Sequence, residues 1–503
     1  MSSYWIESTK NIEKEYPKLK NDIETDVCII GGGLTGISSA YELAKSGVKV
    51  VVLEKDQIGK KTTGNTTGKV TSQHGLFYDY LIQSEGDKFA KKYLEANEQA
   101  IKNIKSIIDT ENIECDFEYQ DAYVYTQKQE EIKKIKKEVQ VLKELNFDCE
   151  FVNKTELPLE ILGAIKFKNQ AQFNVRKYLF GLANCIEKNG GKIFEDSKVY
   201  DLKKDSDKYL TYCDNVCVKS KYVIIASHYP IINSPGFYFL KMYQSMSYAI
   251  AIETSQEIFN GMYINSELPT KSIRNIKDGD KRLLLIAGSD HKTGAKINLL
   301  NAYKDLEKVA KSIYPDCRVK YKWHTEDCIT LDKIPYIGEF SKFMPNVYVA
   351  TGYRKWGITT SNIASNIIKD KILNKGNKYE EIFKATRMEP VKNIKEVENM
   401  LKETSNSLVI NKIKVPKDKI SDVNKEDARI IEIDGRKVGV YKDKEGELYA
   451  VKPVCSHLGC ELSFNNLAKT WDCPCHGSRF DYRGNSIYSP SIKNLENWKI
   501  EGE

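Results

Sequence analysis

Two short stretches near the C-terminus concentrate the residues most able to do chemistry. They are Cys455-Ser456-His457-Leu458-Gly459-Cys460 and Cys473-Pro474-Cys475-His476-Gly477-Ser478. Each sets a thiol beside an imidazole, as Cys-x-His in the first and Cys-x-x-His in the second. Of six histidines and twelve cysteines in the chain, two and four fall here. Two thiolates and two imidazoles can hold a two-iron, two-sulfide centre, with the thiolates on one iron and the imidazoles on the other. The same four ligands suit a tetrahedral zinc. A zinc finger, however, runs Cys-Cys and then His-His, and lacks the extra Cys and Gly found here. The cluster is therefore preferred to zinc, and either to a set of unligated core thiols.

CSHLGC and CPCHGS resemble the Rieske domains of the cytochrome bc1 and b6f complexes. The resemblance implies that Cys455, His457, Cys473 and His476 bind the iron of a [2Fe-2S] cluster. It implies that Cys460 and Cys475 form a disulfide tying the loops together, and that Ser478 donates its hydroxyl to a bridging sulfide. One position departs from the pattern. Phe480 stands where the respiratory proteins have a tyrosine two residues after the serine. Donors to the sulfurs raise the potential, so this loss is expected to lower it.

A second constellation lies near the N-terminus. Asp26 to Ile30 is a short apolar run, read as a buried parallel strand. It enters Gly31-Gly32-Gly33-Leu34-Thr35-Gly36, a Gly-x-Gly-x-x-Gly, followed by a helical pattern over Ile37 to Lys45. Gly47 closes that helix, and a second apolar run, Val48 to Leu53, ends at Glu54. Strand, helix, strand and terminal acid make a complete dinucleotide-binding unit. Gly31 permits the tight turn, Gly33 lets the backbone approach a pyrophosphate, and Gly36 lets the helix pack closely. The helix N-terminus holds the phosphates and Glu54 accepts from a ribose hydroxyl.

The N-terminal stretch also resembles the D-amino acid oxidase family of flavoproteins, which includes glycine oxidase and sarcosine oxidase. The hydroxyl-rich segment Ile58 to Lys69 then corresponds to a loop beside the flavin, with Thr62, Thr63, Thr66 and Thr67 as candidate contacts. Val199 falls where the family contacts adenine through backbone atoms. His74 is a candidate to face the isoalloxazine or to carry a covalent flavin, with a plain hydrogen-bonding role preferred. A third segment runs from the strand Asn346 to Thr351 through Gly352, Tyr353, Arg354, Lys355, Trp356, Gly357, Ile358 and Thr359 into a helix. Its positive N-terminal end is expected to face the flavin's pyrimidine oxygens. Arg354 and Lys355 are candidates to meet a substrate carboxylate, Arg354 first because a guanidinium forks onto a carboxylate. Tyr243, Tyr248 and Arg274 are weaker candidates for substrate contact.

These sites need elements to position them, and 503 residues are too many for one core. The reading is an α/β dinucleotide-binding, Rossmann-like FAD domain with an inserted α+β substrate domain, followed by a small all-β Rieske domain. The oxidoreductase part spans 1–375, with FAD-binding parts at about 20–75, 150–230 and 325–375. The substrate domain takes about 76–150 and 231–325, with 76–146 mainly helical. Residues 376–426 form a linker with a helix, and 427–503 the Rieske domain.

Composition is that of a globular protein, 41% hydrophobic and 29% charged, with a net charge of +7. No basic stripe interleaved with aromatics is present, so nucleic acid is not an expected partner. The start MSSYWIESTK has no apolar signal core and no run of eighteen apolar residues occurs, so a cytoplasmic protein without a membrane anchor is expected. The two resemblances together imply an FAD-dependent dehydrogenase acting on an amine or amino acid. The flavin would pass electrons singly to the cluster and on to an acceptor protein or quinone. A Rieske oxygenase would need a mononuclear iron on two His and a carboxylate. His74, His228, His291 and His324 are too scattered for that. A non-catalytic electron-transfer adaptor or redox sensor is the remaining alternative.

Overall fold

The structure, a computed structural model, describes residues 2–232, 234–295, 301–387 and 418–499. Most of the expected linker, 388–417, lies outside the described residues.

The N-terminal strand Ile23–Ile30 is central to the first sheet. It pairs in parallel with Val50–Leu53 on one side and with Val216–Ile225 on the other. Val216–Ile225 pairs in turn with Val347–Thr351, and Val50–Leu53 with Lys192–Phe194, all in parallel. The end of Ile23–Ile30 is buried on both faces, as a covered parallel sheet requires. The helix Leu34–Lys45 packs against the helices Val175–Lys188 and Gly357–Ile372. Ten of its twelve residues are buried, which explains its small and apolar composition. The apolar runs at 216–218 and 222–225 belong to one continuous strand. Its polar middle, Lys219 and Ser220, pairs with the strand Lys208–Cys213.

The second sheet is mostly antiparallel. Its order is Arg318–Thr330, Met242–Glu253, Lys281–Lys292, Lys271–Asp278, Met262–Asn265, Glu118–Thr126, Gly163–Gln172 and Lys69–Val70. Glu118–Thr126 is a strand within the stretch expected to be mainly helical. Gly163–Gln172, within the 150–230 part expected in the FAD domain, is paired in this second sheet, and so is most of 318–330. The chain returns to the dinucleotide unit at Val175–Lys188, capped by Asn174, whose Oδ1 accepts from the Arg176 and Lys177 amides.

The C-terminal domain is all antiparallel β. One sheet holds Asp427–Ile433, Arg436–Lys442 and Leu448–Val451. The other holds Ser463–Asn465, Thr470–Asp472, Arg479–Asp481 and Ser486–Tyr488. Trp471, Phe480, Leu462 and Val451 form its core together with Cys455, Cys460, Cys473 and Cys475. No helix among the described residues is long and apolar enough to cross a membrane.

Candidate functional site

The two cysteine–histidine loops are built on one turn used twice. In each, the glycine four residues after the first cysteine has φ +78° and donates its N–H to that cysteine's carbonyl at 2.9 Å. In each, the cysteine N–H donates at 2.8 Å to the carbonyl five residues on, of Cys460 and of Ser478. Cys460 and Cys475 are joined as a disulfide, and Cys455 and Cys473 are buried free thiols. The hydrogen bond between those two thiols lowers Cys455 to about 7 and raises Cys473. The imidazoles of His457 and His476 stand edge to face with centroids 5.1 Å apart. Burial depresses them to about 4 and about 3, so both are neutral. Both ring nitrogens of His457 and Nδ1 of His476 are buried with no hydrogen-bond partner. Two enclosed thiols and two neutral imidazoles with unused nitrogens are what a thiolate- and imidazole-ligated cluster requires.

A second site is a cavity of about 690 Å³ between the two sheets. At its phosphate end, each glycine of the Gly-x-Gly-x-x-Gly has a separate steric reason. A Cβ on Gly31, at φ +112°, would sit 2.6 Å from the Ala226 carbonyl oxygen, and one on Gly36 1.9 Å from that of Gly31. A Cβ on Gly33 would meet only Thr63 Oγ1, at 3.3 Å. The protein itself does not fill that space. Glu54 is buried, and its carboxylate accepts from the amides of Gly32 at 2.7 Å and Asp56 at 3.0 Å. Burial is the first influence on that carboxyl and raises it.

The threonine loop is gripped from behind. The carbonyls of four consecutive residues each accept from a distant side chain. Ser3 Oγ holds Gly64, Trp323 Nε1 holds Asn65 at 2.9 Å, Trp5 Nε1 holds Thr66 at 2.7 Å and Arg274 Nε holds Thr67. Thr62, Thr63, Thr66 and Thr67 all line the cavity. Thr63 Oγ1 accepts from the Leu34 amide in the first turn of the dinucleotide helix, at 3.0 Å. Arg274 is 1% exposed and also donates to Gln172 Oε1 and the Asn275 carbonyl, so it braces the loop instead of meeting substrate.

Val199, Gly352, Trp356, Gly357 and Ile358 line the same cavity. Thr359 is buried and turns its hydroxyl to the Thr71 carbonyl at 3.4 Å. Gly352, at φ +78°, abuts Thr330, whose Cγ2 would lie 2.3 Å from an added Cβ. His74 is buried against Trp356, their rings stacked at 4.6 Å. Its Nδ1 pairs with Tyr93 Oη at 2.8 Å and its Nε2 with the Thr71 carbonyl at 2.9 Å. Burial pushes it down to about 3. It is a neutral histidine with both nitrogens engaged, which fits the hydrogen-bonding role and not a covalent link.

Arg354 and Lys355, both at positive φ, flank the cavity. The Arg354 guanidinium lies 4.0 Å over the Phe77 ring and donates to the Lys333 carbonyl at 3.0 Å. Lys355 Nζ pairs with Asp290 Oδ2 at 2.5 Å. Asp327 also lines the cavity, and burial raises its carboxyl to about 6. Tyr248 lines it too, with Oη 3.1 Å from His291 Nε2. Tyr243 is not among the lining residues. Asp290 and Asp327 escape sequence reasoning, because each is isolated in its strand and no spacing marks it.

The two sites adjoin. Ser486, Tyr488, Ser489, Ser491 and Ile492 of the small domain form part of the cavity wall. Gln244 Nε2 donates to the carbonyls of His476 at 3.0 Å and Ser489 at 2.6 Å. Lys198 Nζ donates to the Ile492 carbonyl at 2.8 Å, and Ser463 Oγ to that of Gly294 at 2.8 Å. Phe239 places its ring against both cluster histidines, 5.7 Å from His457 and 5.5 Å from His476.

Comparison with known proteins bears on both sites. The family described as FAD dependent oxidoreductase (DAO) matches residues 26–370, and the Rieske [2Fe-2S] domain matches residues 414–499. The chain is 37% identical over 494 residues to the Rieske 2Fe-2S iron-sulfur protein YhfW of Bacillus subtilis (strain 168), covering 98% of this chain and 97% of that one. It is 23% identical to gamma-glutamylputrescine oxidoreductase of Escherichia coli (strain K12), over 75% of this chain and 90% of that one. Among solved structures, glycine oxidase from Geobacillus kaustophilus superposes with a TM-score of 0.64 at 17% identity. That match covers 73% of this chain and all of the other.

Proposed function

The chain belongs to the DAO family of FAD-dependent oxidoreductases and carries a C-terminal Rieske [2Fe-2S] domain, and from this premise we propose that it is an amine or amino acid dehydrogenase with a built-in electron relay. When bound, FAD would supply the chemistry of hydride acceptance from a carbon next to nitrogen, and a Rieske centre on Cys455, His457, Cys473 and His476 would supply one-electron transfer toward an external acceptor. The observation that carries the proposal is the shared wall. The domain that holds the cluster ligands also closes the cavity that holds the dinucleotide glycines.

The chain's own residues divide the remaining work. Gly31, Gly33, Gly36 and the amides of the following helix would hold the pyrophosphate, Glu54 the ribose, and the clamped threonine loop the ring system. The N-terminus of Gly357–Ile372 directs its positive end at developing negative charge. Arg354 and Lys355 orient a substrate carboxylate, and Asp327 answers a substrate nitrogen. At neutral pH Asp327 is ionised, and its carboxylate can take the proton that an arriving ammonium must lose. Tyr488 and Ile492 keep water from the wall next to the small domain. The gamma-glutamylputrescine enzyme and glycine oxidase support a substrate with a C–N bond by likeness alone.

The test is anaerobic mixing of the holoprotein with a panel of amino acids and amines. A substrate that bleaches the flavin and then produces the reduced-cluster EPR signal supports the relay. Bleaching only by a reduced protein partner instead supports the non-catalytic adaptor.

A further inference from the structure

The strand Ser486–Tyr488 and the turn after it belong to the small domain, yet they are tied to the first domain beside its dinucleotide landmarks. Lys55, the residue after Glu54, donates through Nζ to the Ile487 carbonyl. The Tyr488 ring has Lys55 Nζ over it at 5.8 Å and Lys61 Nζ at 5.9 Å, and Lys61 immediately precedes the threonine loop. Lys198, the residue before Val199, donates through Nζ to the Ile492 carbonyl at 2.8 Å. The segment therefore crosses from the start of the threonine loop, past the acid that ends the second strand, to the residue assigned to adenine.

A dinucleotide lies outside the carboxyl ends of parallel strands, with its ribose on the acid that closes the second of them. Tyr488, Ser489, Ser491 and Ile492 line the same cavity as Glu54 and Val199, so this segment forms a wall at that end. Tyr488 is half-buried and is fixed from its own domain as well, with the enclosed Arg479 guanidinium 5.6 Å from its ring centroid. The bonds from Lys55 and Lys198 are charge-assisted and hold the segment on either side of Tyr488. An aromatic ring held in place at a ligand's edge adds contact area at little entropic cost and excludes water from the groups beneath it.

We propose that residues 486–492 of the small domain are part of the FAD site: they cover the adenosine half of the cofactor, with the Tyr488 ring as the principal contact, and FAD enters and leaves only while the small domain is unseated. The domain that carries the cluster ligands thereby controls retention of the flavin. The inference rests on the placement of the dinucleotide by Glu54 and the glycine turn, and not on the passage of electrons between the two centres.

The experiment dilutes full-length holoprotein into buffer without FAD and follows release by flavin fluorescence, for wild type, Tyr488→Ala and Gln244→Ala. Gln244 ties the small domain through the His476 and Ser489 carbonyls and does not line the cavity. Release about tenfold faster is expected in both variants, in one from loss of the covering ring and in the other from looser seating. Calorimetry on the apoproteins supplies the second arm. ADP, which carries the adenosine half alone, is expected to bind Tyr488→Ala more weakly than wild type, and riboflavin to bind both equally. FAD release and ADP affinity unchanged in Tyr488→Ala overturn the proposal, and release unchanged in Gln244→Ala overturns the control by seating. Gly33→Ala separates the two readings. If it weakens FAD and ADP while Tyr488→Ala does not, the cover falls and the placement of the dinucleotide stands.

Discussion

Arg479 of the Rieske domain and Glu326 of the substrate sheet form an ion pair with both side chains sealed from solvent, 1% and 0% exposed. Arg479 is held from its own side by Asp472 Oδ1 at 3.0 Å and Thr470 Oγ1 at 2.9 Å. The Glu326 carbonyl accepts from Thr62 of the threonine loop at 3.4 Å. One enclosed charge pair therefore ties the small domain to the cavity wall. Removing Arg479 leaves the buried carboxylates of Glu326 and Asp472 without their cation, a loss of about 3–5 kcal/mol, whereas removing Glu326 leaves Arg479 paired with Asp472. Arg479→Met should lower the melting temperature sharply, Glu326→Met should lower it less, and adding Glu326→Met to Arg479→Met should recover part of the loss. Differential scanning calorimetry of the three variants checks this.

Gly33 and Gly36 should fail differently. Gly36→Ala drives a Cβ into the Gly31 carbonyl and should damage the fold itself. Gly33→Ala meets only Thr63 Oγ1, so the protein should fold but hold FAD about tenfold or more weakly, a loss of about 1.4 kcal/mol or more. Circular dichroism and flavin titration of the two apoproteins distinguish the outcomes.

His457→Cys or His476→Cys should abolish the Rieske EPR signal and leave FAD bound. The cluster ligands belong to a separate core of Val451, Leu462, Trp471 and Phe480, and no cluster ligand lines the flavin cavity. Flavin absorbance and EPR on the same sample give the answer. Loss of flavin in either variant contradicts it.

Phe480→Tyr should raise the cluster potential. Phe480 is fully buried in the cluster of residues that includes Cys455 and Cys473, and a hydroxyl there adds a donor near the thiolates. Protein-film voltammetry measures the shift, and a downward shift sinks the argument.

Asp327 predicts a pH dependence. Its carboxyl is raised by burial from the ordinary 3.8 to about 6. Between those values the folded protein keeps a proton that the unfolded chain has released. Stability therefore falls as pH rises from about 4 to about 6 and is flat in this contribution above it. Asp327→Asn should lose that slope, so its stability relative to wild type should improve as pH rises through the window. Urea unfolding at a series of pH values tests the sign. If Asp327 also pairs with a cationic substrate, wild-type KM should rise as pH falls below about 6.

The chemistry-bearing residues were legible because local backbone geometry fixes their spacing. A glycine turn before a helix, or two loops each with Cys, His and a left-handed Gly, needs no distant partner. What could not be read depends on pairs far apart in sequence. Ser3, Trp5, Arg274 and Trp323 meet the threonine loop from three different parts of the chain, and nothing periodic links them. Glu118–Thr126 was hidden because its alternation, EYQDAYVYT, is interrupted by polar residues and sits between strong helices. Asp327 became visible only once its strand was folded over the cavity. The Arg479–Glu326 pair joins two strands far apart in sequence, and nothing local to either marks it.

The four carbonyl clamps also impose an order on biosynthesis. Gly64 to Thr67 are made early, and Ser3 and Trp5 are already present to hold two of them. The remaining two wait for Arg274 and Trp323, most of the substrate sheet later in translation. The loop has all four clamps only after residue 323 has left the ribosome, once most of the substrate sheet has been made. The Rieske segment follows Trp323 in the chain and seats against a wall whose clamps are by then all made.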